Sequence, residues 1–270
     1  MRSATKNKSI YTILLLICVI GFWLFDNFYT PDTYSAQEND GPSTEISAFN
    51  LPSSTTGEIV NHQHFTLSYN EPYEQAEWVA YTLKKVHLTY DDRKRPYFIE
   101  DPEVRTKSAD WRNYKGSGYD RGHLCPAGDR RFSKQAYNET FYTSNISPQD
   151  RDFNAGVWNR LEQKVRQWAK KYNTIFVVTG GVLKDGLKEI GDEDVAVPNH
   201  YYKIIARSEG DNIKMIAFLM QGKESSKPLQ NFTVPVDEIE MLTGIDFFEK
   251  LPDTLEAKLE STNVKSNWKF

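Results

Sequence analysis

Hydrophobic and polar positions change period several times along the chain. The segments HFTLSYN (His64–Asn70) and WVAYTL (Trp78–Leu83) set β-branched and aromatic residues between turn signals and predict strands. TIFVVTGG, from Thr174 to Gly181, is a nearly unbroken apolar run and predicts a buried strand; Tyr201–Ala206 and Ile213–Met220 predict two more. Between Asn154 and Lys170 the period lengthens. Val157, Leu161, Val165 and Trp168 recur at helical spacing, which predicts an amphipathic helix starting at Asn154. Val236–Thr243 predicts a shorter helix closed by Gly244, and Asp253–Leu259 another. Tyr90–Gly118 is polar and basic and predicts surface loops. No internal repeat is present. Strands and helices mix without βαβ alternation, so the fold class is α+β.

The N-terminus has a different pattern. Arg2, Lys6 and Lys8 precede an uncharged run from Ile10 to Phe25, IYTILLLICVIGFWLF. A positive region followed by an apolar stretch is a signal peptide or a signal anchor. No small-x-small cleavage site follows, and Ile17 rather than a small residue precedes Cys18, so the pattern favours an uncleaved anchor over residues 1–29. The alternative is a signal that is cleaved to release a secreted protein. Positive charges before the run place the N-terminus in the cytoplasm and the rest outside it, in a periplasmic or extracellular position. Residues 30–56 are rich in Ser, Thr, Pro, Asn and Gly and read as a flexible linker. The folded domain is then residues 57–270, long enough for one sizeable core.

Charge narrows the range of functions. The net charge of −4 argues against a protein that coats nucleic acid. The distribution is uneven, however. From Asp91 to Gln135 there are 11 Lys/Arg against 8 Asp/Glu, whereas from Glu209 to Glu260 there are 5 against 11. A basic middle leaves room for a phosphate substrate. High aromatic content fits a strand-rich core. The two cysteines, Cys18 and Cys125, have no metal-ligand spacing and are poorly placed for a disulfide.

Candidate chemistry concentrates in two segments. GSGYDRGHLCPAGDRR, from Gly116 to Arg131, gathers Asp120, Arg121, His123, Asp129, Arg130 and Arg131 around turn-forming glycines. Arg121 and His123 are two apart, so an extended segment points both to one face. A neutral imidazole can take a proton from water near pH 7, and a guanidinium beside it can hold a phosphate. The second segment, Thr143 to Arg166, has Asn154 at its predicted helix start, with Glu162 and Arg166 farther along the helix. Taken singly, Asn154 reads as a helix N-cap and Glu162 with Arg166 as an exposed ion pair.

Together these segments resemble the DNA/RNA non-specific endonucleases, the ββα-metal (His-Me finger) nucleases that include mitochondrial endonuclease G. The resemblance runs from about Trp78 to Thr254. It rests on Asp120-Arg121-Gly122-His123, on Asn154, Gly156, Trp158, Leu161 and Glu162 in the pattern Asn-x-Gly-x-Trp-x-x-Leu-Glu, and on SNISPQ, VTGG and VPNHYYK.

This resemblance implies a central antiparallel sheet flanked by helices and metal-dependent, sugar-non-specific endonuclease activity on DNA and RNA. By the same resemblance, His123 is the general base and Asn154 the one direct protein ligand of Mg²⁺, with Mn²⁺ as a substitute. Glu162 holds water around the ion. Arg121 and Arg166 lie near the phosphate, with Asp120 in the substrate-binding set. Asn145 positions either His123 or substrate. An upstream arginine is also implied; Arg93, Arg95 and Arg105 are the candidates, and the segment RPYFIEDP favours Arg95. Cys125 departs from the family pattern and reads as a small buried residue, the alternative being a reactive thiol. His62, His64, His87 and His200 read as surface or local hydrogen-bonding residues. An inactive binding module with this fold and a phosphodiesterase acting on small substrates or on nucleic-acid ends are the other readings. The sequence sets no oligomeric state.

Overall fold

The structure is a computed structural model and describes residues 3–30, 33–34, 51–55, 57–90, 92–210 and 212–270. It divides into two units, residues 1–33 and 34–270. The first holds one helix, α1 (Ser3–Phe28), whose Lys8–Phe28 stretch is long and apolar enough to cross a membrane by length and composition. Its Ile, Leu and Phe side chains are exposed from Ile10 onward. The predicted positive residue Arg2 lies outside the described residues.

The second unit is built on a seven-stranded sheet. In chain order its strands are β1 (Glu58–Asn61), β2 (Thr66–Asn70) and β3 (Gln75–Lys84), then β6 (Thr174–Gly181), β9 (His200–Glu209), β10 (Asn212–Gln221) and β11 (Thr233–Val234). The spatial order is β1-β2-β3-β6-β9-β10-β11, and every neighbouring pair is antiparallel. The four remaining strands form two short ribbons beside this sheet: β4 (Asp120–His123) with β5 (Ile146–Gln149), and β7 (Lys188–Ile190) with β8 (Val195–Val197).

Strand periodicity sorts the side chains into two cores. Val79, Tyr81 and Leu83 of β3, Ile175 and Val177 of β6, and Ile205 of β9 face one side. Trp78, Ala80, Phe176, Val178, Tyr202, Ile204 and Ala206 face the other. Because both faces are covered, the central strands read as nearly continuous apolar runs.

One face is covered by α4 (Asn159–Tyr172), through Leu161, Val165 and Trp168, and by Trp268 from the C-terminus. The other face is covered by α5 (Val236–Thr243), through Val236 and Ile239, and by Ile245, Phe247 and Phe248. As predicted, Gly244 ends α5 in the left-handed conformation, with its N–H bonded to the Glu240 carbonyl. A last helix, α6 (Asp253–Glu260), comes after it.

A short helix, α2 (Lys134–Glu139), lies between β4 and β5. After β5 comes α3 (Arg151–Phe153), then a π turn over Asn154–Trp158, then α4. The sequence β4–β5–helix is the ββα unit that the resemblance implies.

The folded part starts earlier than Gly57. The indole of Trp78 donates to the Ser53 carbonyl at 2.9 Å, and the Ser53 N–H donates to the Asp246 carbonyl at 2.7 Å. The buried Glu77 carboxylate accepts from Ser54 Oγ at 3.0 Å and from the Thr55 N–H at 3.1 Å. Residues 51–55 therefore belong to the domain. They look like linker because their value lies in backbone and hydroxyl groups, which composition does not reveal. Tyr34, also inside the predicted linker, donates its hydroxyl to the Tyr97 carbonyl at 2.7 Å and packs on Tyr142, whereas residues 31–32, 35–50 and 56 of that linker lie outside the described residues.

Candidate active site

The β4–β5 ribbon places the DRGH segment. His123 pairs with Ile146 and Arg121 with Pro148. Gly122 lies against the Gln149 side chain, and a Cβ there would collide with it, so a larger residue would have to displace that buried side chain. Asn145 secures the end of β4. Its amide oxygen accepts from the Cys125 N–H at 2.8 Å, and its amide nitrogen donates to the Cys125 and Thr140 carbonyls at 3.0 and 2.9 Å. Both N–H groups are thus used, and the residue is fully buried. Of the two readings given by the sequence, this geometry fits positioning of the strand that carries His123 and leaves no N–H for substrate.

Arg121 and His123 share one face, as the spacing predicts, and Phe98 is the floor beneath them. The Arg121 guanidinium sits 4.6 Å from the Phe98 centroid, Arg95 sits 5.0 Å from it on the same ring, and the His123 ring is 5.6 Å away. Phe141 meets His123 edge-on at 4.9 Å and Arg95 at 5.4 Å. Of the three upstream candidates, Arg95 is the one brought to His123. Among the described residues, neither Arg95 nor Arg121 makes an ion pair or a hydrogen bond. Both rest on aromatic faces with their N–H groups unused.

The imidazole has an unusual electrostatic environment. Its Nε2 is buried without a hydrogen-bond partner. Burial, followed by the charges of Arg95 and Arg121, pushes its pKa down to about 3. Burial and the nearby Arg95 also lower the pKa of the Arg121 guanidinium. His123 is therefore neutral over the whole physiological range.

Asn154 is not a helix N-cap. Asp150 caps the helix, accepting from the Asp152 and Phe153 N–H groups at 2.9 and 3.1 Å, so the helix begins three residues before the predicted start. Asn154 lies inside the helical run, and its amide nitrogen donates to the Asp120 carboxylate at 3.2 Å. Its amide oxygen accepts from no protein group among the described residues. Arg151 reaches the same carboxylate at 3.9 Å. Asp120 thus ties Asn154 to the strand that carries His123.

The π turn after Asn154 has its own anchor. Gly156 departs from helical geometry, and the Val157 N–H donates to the Glu224 carboxylate at 2.7 Å. A Cβ at position 156 would collide with that carboxylate. Arg160 donates to the carbonyls of Ser225 and Lys227, which holds the loop that carries Glu224.

Glu162 and Arg166 form a second cluster. Their separation is 3.9 Å, but Arg166 has a better partner in Asp129, at 2.9 Å. Asp129 is buried and also accepts from the Tyr81 hydroxyl at 3.1 Å. Lys203 lies fully buried below, donating to Thr179 Oγ1 at 3.0 Å and sitting 4.9 Å from the Trp158 ring centroid. Burial raises the Glu162 pKa and lowers that of Lys203, while the attraction between the two opposes both shifts. The expected exposed ion pair is therefore part of a half-buried network of four charges.

Sequence reasoning gathers Asp129 with the His123 segment but gives it no role, and it does not assign Lys203 or Glu224 to the site. Lys203 carries a usable signal: a charged residue in an otherwise apolar buried strand needs a partner. Glu224 carries none, because its role depends on a backbone kink. Cys125 is buried, and burial drives its thiol up to about 12, which makes it inert and removes the reactive-thiol alternative. His62 and His87 follow the local hydrogen-bonding reading and not the surface one: His62 meets the buried Asp101 carboxylate at 2.7 Å, and His87 Nδ1 accepts from the Lys84 N–H at 3.3 Å while its ring stacks on Phe132 at 4.2 Å.

Comparison with known proteins agrees with this geometry. The pattern of the DNA/RNA non-specific endonuclease family matches residues 42–254. The chain belongs to that family. Among its relatives, the mitochondrial nuclease EXOG of Danio rerio is 37% identical over 223 residues, covering 76% of this chain and 65% of the relative. The chain thus spans just under two thirds of that relative. Human mitochondrial endonuclease G is 33% identical over 221 residues, covering 75% of this chain and 73% of the relative. A solved EndoG structure, in complex with EndoGI and described as showing the mechanism of EndoG inhibition, superposes with a TM-score of 0.68 at 31% identity. It covers 73% of this chain and 88% of that one.

These relatives correct the expected location. EXOG and endonuclease G are named as mitochondrial, which overturns the expectation of a periplasmic or extracellular domain. The physical reason is that basic residues ahead of an apolar run encode insertion and sidedness, whereas the identity of the membrane is not written in them.

Proposed function

We propose that the domain is a metal-dependent endonuclease that hydrolyses phosphodiester bonds in both DNA and RNA. One observation supports this reading most: a neutral imidazole with an unpartnered Nε2 lies beside two guanidiniums whose N–H groups are unused. Such a site suits a phosphate, with a base next to it.

In this reading Arg95 and Arg121 hold the scissile phosphate, and His123 takes the proton from the attacking water. The arginines that depress the imidazole are the groups a phosphate neutralises. Substrate binding therefore removes part of the depression and makes His123 a stronger base when it is needed.

The donors near Asn154 fit a hard divalent cation, because the Asn154 amide oxygen is unused and the Asp120 carboxylate is beside it. Mg²⁺ held there, with Mn²⁺ as a substitute, would stabilise charge on the phosphate and on the leaving 3′ oxygen. Asp120 fixes the orientation of Asn154. Glu162 accepts hydrogen bonds from water in the cleft, and Arg166, held by Asp129, adds positive charge there. Residues 1–29 act as a targeting or anchoring segment in a mitochondrial setting, and the full-length chain fractionates with membranes.

The test uses supercoiled circular plasmid and single-stranded RNA, each with Mg²⁺ and with EDTA. Nicking of the circle and cleavage of RNA, both stopped by EDTA, are expected. A chain that digests only linear ends or small diesters is a phosphodiesterase of another kind. Full cleavage in EDTA removes the metal from the account.

A further inference from the structure

The acidic excess of the last third gathers at one place, far along the chain from the site above. Glu260 ends α6 with 6% of its surface exposed, and its Oε1 is buried with no hydrogen-bond partner. Ligand atoms of Glu260, Asp237 and Glu240 all lie within 4.8 Å of one another. The same holds for Glu260, Asp246 and Glu256, so one buried carboxylate is shared by two triads. The Glu256 Oε1 is also buried without a partner. Two of the five carboxylates accept a backbone N–H, Glu240 from Phe247 at 3.0 Å and Asp246 from Phe248 at 3.3 Å. No Lys or Arg pairs with any of the five among the described residues.

Such a cluster is unstable as five anions. Like charges at this range repel, and a buried carboxylate without a donor pays for its lost hydration. Accordingly, burial and the four neighbouring carboxylates drive the Glu260 pKa up to about 8. Either a proton or a cation must relieve it. The donors are all oxygens, which excludes a soft metal. Oxygens bound on opposite sides of Ca²⁺ stand about 4.6–5.2 Å apart, from bond lengths of 2.3–2.6 Å, so oxygens that all lie within 4.8 Å of one another can share one such ion. A set rich in carboxylates from two helices and a loop suits Ca²⁺ better than Mg²⁺, which keeps most of its water.

We propose that Glu260, with Asp237 and Glu240 on one side and Asp246 and Glu256 on the other, forms a divalent-cation site of the calcium class that ties α6 to α5. It is separate from the endonuclease site, and Glu256 and Glu260 lie beyond the span that matches the family. The site would also steady the C-terminus. After α6 the chain delivers Trp268 and Phe270 onto Trp168 of α4, at 4.8 and 5.5 Å between ring centroids.

The test is calcium titration of the full chain by calorimetry and by thermal melting, on an Asn154→Ala background so that an ion at the endonuclease site does not contribute. The expected result is one Ca²⁺ bound and a higher melting temperature, both lost when Glu260→Gln is added. In EDTA at pH 8, Glu260→Gln should melt no lower than its parent, since it removes a buried charge, and this shows that the variant folds. Asp246→Asn should weaken Ca²⁺ binding as an independent check. The proposal is overturned if Glu260→Gln leaves Ca²⁺ binding unchanged. It is also overturned if the parent binds no Ca²⁺ and merely loses stability as pH rises through about 8, the behaviour of a shared proton on a carboxyl whose folded pKa is raised.

Discussion

Glu224 accepts the backbone N–H of Val157 at 2.7 Å, across the kink that Gly156 permits. This contact holds one π turn between Asn154 and the helix that carries Glu162 and Arg166. An extra residue in a turn rotates the preceding part of a helix relative to the next, and such bulges recur at functional sites. Glu224→Ala leaves the N–H of the buried Val157 unsatisfied and should cost about 1–3 kcal/mol. Gly156→Ala forces the carboxylate away and should do at least as much. Nicking rates measured well below the melting temperature should fall in both variants, because Asn154 loses its angle to Glu162. Unchanged nicking with lower stability would make the contact structural only.

The pH profile should separate free from substrate-bound protein. Burial, with Arg95 and Arg121, holds the His123 pKa at about 3 in the free site. The acid limb of kcat/KM, which reports the free site, should therefore lie far below the ordinary histidine range. The limb of kcat should lie at higher pH, since bound phosphate offsets the two guanidiniums. Arg95→Ala should move the kcat/KM limb upward. In stability the sign follows from the lowered pKa: the unfolded chain binds the extra proton between about 3 and 6.5, so this group's contribution fades as pH falls through that window. Coincident limbs for kcat and kcat/KM would remove the proposed coupling.

Arg166 has more to do than to pair with Glu162. Removing it leaves the buried Asp129 carboxylate, among the described residues, with the Tyr81 hydroxyl as its one remaining hydrogen-bond donor. Breaking a buried pair from one side costs about 3–5 kcal/mol, and Arg166→Ala should approach the lower end because Arg166 is partly exposed. Asp129→Asn should cost less, as it leaves no buried charge without a partner. Chemical denaturation of both variants decides this, and equal losses would contradict the ordering.

The start of the folded domain is testable by truncation. A chain beginning at Tyr34 should match the full-length domain in melting temperature and nicking. A chain beginning at Gly57 removes the Ser53 carbonyl from Trp78 and three donors from the buried Glu77, and should melt lower. Equal melting temperatures would restore the boundary at residue 57.

Much of this protein is legible in its sequence, for identifiable reasons. β3, β6, β9 and β10 announce themselves because both faces are buried and their apolar runs are long. The helical period of Val157, Leu161, Val165 and Trp168 marks α4 because only one side of that helix meets the sheet. The start of the helix is harder to place because Asn154 is a good capping residue, while the capping done by Asp150 depends on backbone geometry. Arg121 and His123 can be set on one face from strand spacing alone. Arg95 cannot, since its approach to His123 runs through Phe98 and Phe141, which are distant from each other in sequence. The partnership of Asp129 with Arg166 is hidden for the same reason.

The most direct measurement of the central claim is turnover of supercoiled plasmid by His123→Ala, compared with the unaltered chain at equal Mg²⁺ and with free imidazole added back. If His123 removes the proton from water, turnover should fall by about 10²–10⁴-fold. Melting should show a folded protein, and added imidazole should restore part of the lost rate. Near-native turnover by a folded His123→Ala chain would contradict the account.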